Sequence, residues 1–172
     1  MIMPRGQQLL LPVNAFFMWG SLLIALVLSM LPFGRIAWIP DIVAVVLVFW
    51  CIHQPHRIGM GVAFFMGLLV DVHQSAMLGQ HAFSYTLLSF MALVIHRRLV
   101  WYNVFSQALQ IFPLFAIAHA LELLVRLVAG GVFPGFYIAL APLIEAAIWP
   151  IISVILLAPQ RRAPDRDAHR PL

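Results

Sequence analysis

At 172 residues, with hydrophobic side chains at 63% and charged ones at 9%, the chain cannot build the polar shell of a water-soluble domain, which runs at roughly 45–50% apolar and 25% charged. Lysine is absent, so the formal charge of +4 comes from ten arginines set against six acids; these punctuate apolar runs instead of clustering with aromatics, which argues against a nucleic-acid partner. The single cysteine, Cys51, excludes internal disulfides, CxxC redox chemistry and cysteine-rich metal sites, and reads as a small packing residue.

Six apolar segments follow one another: Val13 to Leu31, Ile36 to Ile52, Ile58 to Val72, Ala82 to Ile95, Val104 to Ala129 and Phe136 to Leu157. Arg5 ahead of the first resembles the start of a secretory signal, but the run has the length of a membrane span and Pro32-Phe33-Gly34-Arg35 lacks a small-x-small cleavage pattern, so a retained first helix is expected. Backbone groups in lipid must bond internally, which makes each segment a helix. The fold class expected is therefore an all-α integral membrane protein, a bundle of about six transmembrane helices over residues 1–158. The second to fourth segments fall short of the ~20 residues that span a bilayer. They are extended by polar flanks or covered by protein, and a re-entrant pair leaving four spans is the alternative.

With the N-terminus inside, six spans put Arg5, Arg57, Arg97, Arg98, Arg161, Arg162, Arg166 and Arg170 in cytoplasmic parts, and only Arg35 and Arg126 towards the outside. That positive-inside bias predicts a multi-pass membrane protein with both termini cytoplasmic. Residues 159–172, rich in Pro, Arg and Asp, read as a disordered basic tail. Its arginines serve as a topology anchor or touch anionic lipid headgroups.

Charged groups inside spans are costly and mark positions with a reason to be there. Asp41, after Pro40, suits the N-terminus of the second helix. His53, Pro55, His56 and Arg57 form a loop where headgroup contact is the ordinary explanation. In the third segment Gly59, Ala63, Gly67 and Asp71 recur every four residues, a small-residue face with a carboxyl at its outer end. Packing between helices of this chain and a groove for a partner helix are both open readings of it. Asp71 reads as an N-cap or loop anchor for the turn from Val72 to His81, to which Gly79 contributes turn chemistry, with proton carriage as a lesser possibility.

His119, Glu122 and Arg126 share a face of the fifth segment, Glu122 and Arg126 in the acid-first i,i+4 orientation of a self-neutralising pair. Glu145 lies near the middle of the sixth, between Pro142 and Pro150, where a kinked helix leaves carbonyls free; it is protonated and bonded to one of these, or it pairs across the bundle. Asp41, Asp71, Glu122 and Arg126 together hint at a pocket or interface opening outward. No HExxH, GxSxG, Walker or GxGxxG pattern occurs, and the histidines lack metal-ligand spacing, so no catalytic residue, metal or cofactor is expected.

Pro40-Asp41, Trp50, the stretch Pro55-His56-Arg57-Ile58-Gly59-Met60-Gly61, then Phe65-Met66-Gly67-Leu68-Leu69-Val70-Asp71, Leu78-Gly79, Ala82 and Trp149-Pro150 resemble, in order and spacing, the rod shape-determining protein MreD family of bacteria. The resemblance covers nearly the whole chain. It implies a non-enzymatic inner-membrane component of the rod complex, or elongasome, required for rod shape and lateral peptidoglycan synthesis through MreC. RodA, a class B transpeptidase, MreB and RodZ would be reached directly or through MreC. It also implies a fold similar to the substrate-binding subunits of ECF-type vitamin transporters. The competing reading is a substrate-capture subunit of a transporter, binding a small molecule or lipid from the outer side through Asp41, Asp71, His119 and Glu122. The two part on whether these side chains converge on an enclosed cavity or pair locally.

Overall fold

A computed structural model describes residues 13–31 and 40–160. Among the described residues the chain is all-helical: α1 (Ala15–Ser29), α2 (Ile42–His53), α3 (Met60–Gln74), α4 (Gln80–Leu99), α5 (Val104–Val128) and α6 (Leu140–Leu157), with 3₁₀ turns at Phe136–Ala139 and Ala158–Gln160. Arg5, the Pro32 to Arg35 stretch and the arginines of the tail lie outside the described residues.

Side-chain acceptors fix three helix starts. Asn14 accepts from the Phe16 N–H at 2.9 Å, Asp41 from Ala44 at 3.1 Å and Asn103 from Ser106 at 2.8 Å, each satisfying an orphan donor of the first turn. Two boundaries differ from expectation. α4 spans 20 residues, not Ala82 to Ile95, because it takes in Gln80 and His81 at one end and His96, Arg97 and Arg98 at the other. Cations in the last turn suit the carbonyl end of a helix, so polarity there extends the helix instead of ending it. The sixth segment opens as a 3₁₀ turn and becomes α-helical at Leu140; α6 then runs through Pro150 without a break. Ala158–Gln160 continue it, and Gln160 is buried with its Nε2 donating to the Leu156 carbonyl at 3.1 Å.

Two stretches, Val104–Val128 and Phe136–Gln160, are long and apolar enough to cross a membrane; α1, α2 and α3 are apolar but shorter. α2 is central. Every residue from Val43 to Ile52 is buried, with α1, α4 and α6 packed around it. Trp50 and Trp149 anchor this core and each spends its indole N–H internally, on Ser21 Oγ at 2.8 Å and on Gln107 Oε1 at 3.2 Å. Buried indoles need such partners. Gln107 in turn donates to the Leu99 and Tyr102 carbonyls, closing the α4–α5 connection.

Contacts fix the direction of each helix. The starts of α2, α4 and α6 and the later parts of α3 and α5 meet at one end, while the end of α4 and the start of α5 meet at the other, so successive helices alternate up and down. The outer surface is apolar: Phe105 is 78% exposed, Val128 82% and Phe136 88%. Asp71, Glu122 and Glu145 are buried instead.

Candidate functional site

The ionisable side chains of the bundle interior collect at the end where α2, α4 and α6 begin. α2 brings Asp41 there as its N-cap. One Asp41 carboxylate oxygen holds the Ala44 N–H and the other accepts the hydroxyl of Tyr85, which projects from the second turn of α4. α6 brings Glu145, fully buried. Its Oε1 accepts the Asp41 backbone N–H at 2.9 Å and bonds His119 Nε2 at 2.8 Å. The other face of that imidazole, Nδ1, meets Glu122 Oε2 at 3.1 Å. Beside it Ser84 donates to the Ala118 carbonyl at 3.1 Å, tying α4 to α5. Four helices are thereby joined by one chain of hydrogen bonds, Tyr85–Asp41–Glu145–His119–Glu122. In a low-dielectric interior such a network fixes the relative placement of its helices, because breaking any of its bonds is expensive.

A second cluster adjoins the first. Asp71, in the last turn of α3, accepts the N–H groups of Gly79 at 2.9 Å, His81 at 2.8 Å and Ala82 at 3.3 Å, and bonds His81 Nδ1 at 2.8 Å. It thus does for α4 what an N-cap side chain does, from another helix, while Gly79 itself occupies the N-cap at φ +103°, a conformation open to glycine. The His81 ring stands edge-on to Tyr85 at 6.1 Å, so the two clusters touch.

The remaining candidate residues fall elsewhere. Arg126 is exposed, and Glu122 pairs with His119 rather than with it. That corrects the i,i+4 pair: Glu122 turns inward toward α6, whereas Arg126, at the last turn of α5, extends outward. Ala63 and Gly67 are buried, and Gly67 faces α4 so closely that a β-carbon there would lie 2.6 Å from Ala82 N and 2.7 Å from the His81 carbonyl carbon. The small-residue face is therefore filled by the chain's own α4, and no groove for a partner helix remains at Gly67. Gly59 precedes the helix as its N-cap, with open space around it. Pro55 is half-buried and Arg57 exposed in the α2–α3 turn; His53 stacks on Phe49 at 4.1 Å. His73 is exposed while His81 is committed to Asp71.

Tyr85 is the member that spacing does not point to. Its signal was chemical: a phenol in an apolar helix needs a hydrogen-bond partner, and Asp41 offered a free carboxylate oxygen.

No triad, nucleophile–base pair or metal cage emerges from these residues; among the described residues no group of three His, Cys, Asp or Glu side chains could hold a metal ion. The ionisable side chains of the two clusters bond to one another, with Glu145 Oε2 left without a partner. Two grooves, of about 480 Å³ and 450 Å³, are lined by other residues and are almost wholly apolar: one by Met60, Phe83, Phe90 and Leu121 among others, the second by Phe16, Gly20, Ile42 and Ile155 among others. Asp41, His119 and Glu122 line neither.

Comparison with known proteins gives one family: the model for rod shape-determining protein MreD matches residues 12–161. No solved structure matches the chain.

Proposed function

Because the chain belongs to the rod shape-determining protein MreD family, we propose that it is a non-enzymatic scaffold of the bacterial rod complex, embedded in the inner membrane, which supports rod shape and lateral peptidoglycan synthesis through association with MreC. The observation that carries this reading is the inversion of polarity: ionisable groups pair with one another inside, and large apolar side chains face out. In water that surface is a liability; in hydrocarbon it is the ordinary one. A protein whose reactive groups are all spent on holding its own helices together works through its surface, not through a reaction.

The topology we propose has the Asp41–Glu145 end towards the periplasm. The up-and-down alternation of six helices supports multiple crossings, and the arginines support the orientation: among the described residues Arg57, Arg97 and Arg98 lie at the opposite end and only Arg126 at this one. Both termini of the chain then face the cytoplasm, the second as a basic tail. The short α2 and α3 are accommodated by cover from neighbouring helices and local thinning of the bilayer. MreB, RodZ, RodA and the transpeptidase are reached directly or through MreC. A kinship in fold with ECF-type substrate-binding subunits belongs to the same proposal. The substrate-capture reading needs Asp41, Asp71, His119 and Glu122 to converge on a cavity, and the local pairing of those side chains runs against it.

Depletion in the native rod-shaped cell, with pull-down of the tagged chain, tests the reading. Rounded cells and recovery of MreC are expected; normal shape on full depletion would overturn it.

A further inference from the structure

The junction holds more carboxyl groups than counter-charges. Its titratable members are Asp41 on α2, Tyr85 on α4, His119 and Glu122 on α5 and Glu145 on α6, with Asp71 of α3 and His81 of α4 behind Tyr85. Asp71 is satisfied by its own set of donors, including the His81 ring. Asp41 has a donor on each oxygen and lies at the positive end of α2. His119, even when both ring nitrogens carry protons, can balance only one carboxylate, and its Nδ1 is bonded to Glu122. Glu145 is left without a counter-charge, and the basic side chain nearest along α5, Arg126, faces outward.

Glu145 also stands apart in its hydrogen bonds. Oε1 takes the Asp41 N–H and the His119 Nε2 side, while Oε2 is buried with no partner, a condition shared by no other carboxyl oxygen among the described residues. A buried carboxylate with one oxygen bare and a second carboxylate on the adjoining residue is the costliest arrangement for the charged form. A proton on Oε2 removes the charge and leaves Oε1 free to accept both N–H groups.

We propose that Glu145 is a proton-binding site, holding a proton on Oε2 at neutral pH as a neutral clasp between the start of α2 and α6. The bound species is the proton itself. Its loss places a second negative charge against Asp41, so deprotonation loosens this end of the bundle. The inference rests on the junction alone and stands whether or not the scaffold reading holds.

The chain contains only two glutamates, Glu122 and Glu145, which makes the test direct. Infrared spectra of the full chain, prepared with ¹³C-labelled glutamate, are recorded at neutral pH in lipid. A protonated carboxyl band that shifts with the label is expected in the native chain and in Glu122→Gln, and its loss in Glu145→Gln, which should stay folded because the amide is isosteric with the neutral acid. Absence of the labelled band from the native chain, its survival in Glu145→Gln, or its disappearance in Glu122→Gln would each overturn the proposal.

Discussion

Asp41 and Glu145, 104 positions apart, are joined by a hydrogen bond from the backbone N–H of one to the side chain of the other at 2.9 Å. The bond uses one of the donors that an α-helix leaves unsatisfied at its start. A carboxyl from α6 and the Asp41 side chain thus divide the capping of α2 between them.

Replacing Asp41 by Ala removes the cap of α2 and strands the Tyr85 hydroxyl. A lost cap costs about 1 kcal/mol, and an unpaired buried hydroxyl about 1–3 kcal/mol more. Tyr85→Phe removes a single bond while leaving the cap in place, so it should cost less than Asp41→Ala. Thermal unfolding of the purified chain in detergent checks the order; equal losses would mean that the hydroxyl, not the cap, is what Asp41 supplies.

Gly67→Ala should destabilise the α3–α4 pair, because the atoms it meets are backbone and cannot rotate away. Overpacking of this kind costs about 1–3 kcal/mol. Gly59→Ala meets open space and should change stability by less than about 1 kcal/mol. Melting temperatures of the two variants decide it, and similar values would show that α4 yields at Ala82.

Asp71→Ala removes the acceptor for three backbone N–H groups at the start of α4. The expected loss is on the order of 3 kcal/mol, with faster hydrogen exchange confined to the Gly79–Ala82 amides. Uniformly unchanged exchange there would count against Asp71 as the cap.

How far the sequence reveals this arrangement depends on whether the partners share an element. Helix order was legible, since each apolar run is bounded by Pro, Gly or polar residues and α5 and α6 are long. Asp41 as a helix start and Asp71 as a loop anchor were also legible, because the backbone donors they satisfy lie within eleven positions of each. Glu145 was not. Its partners come from α2 and α5, and only tertiary packing brings them within reach. Glu122 was misdirected for a different reason: one face of α5 offers it both Arg126 and His119, and only the bond of that histidine to Glu145 on α6 draws the carboxyl inward. Small-residue spacing on α3 indicated a close approach at Gly67, but nothing in it could say that the approaching helix was α4.

Arg126→Gln should leave stability within about 0.5 kcal/mol of the native chain, the ordinary range for a surface change. Glu122→Ala strips His119 of a partner and should cost several times more. If Arg126→Gln proved the more damaging of the two, an interaction of the guanidinium with Glu122 would have to be restored.

The proposed orientation can be read chemically. In a Cys51→Ala background, His56→Cys in the α2–α3 turn should react with an impermeant maleimide only from the cytoplasmic side, and Val132→Cys between α5 and α6 only from the periplasmic side. Both positions are exposed. Labelling of both from the same side would contradict the alternation of helices about the bilayer.

The enclosure of α2 has a consequence for how the protein is made. At 12 residues it rises only about 18 Å, too little to cross a bilayer as a free segment, and its neighbours in the fold are almost wholly protein. In the proposed membrane topology such a segment would not be released from the insertion machinery one helix at a time. α1 and α2 would leave together with the helices that cover them, which makes cooperative insertion the expected route.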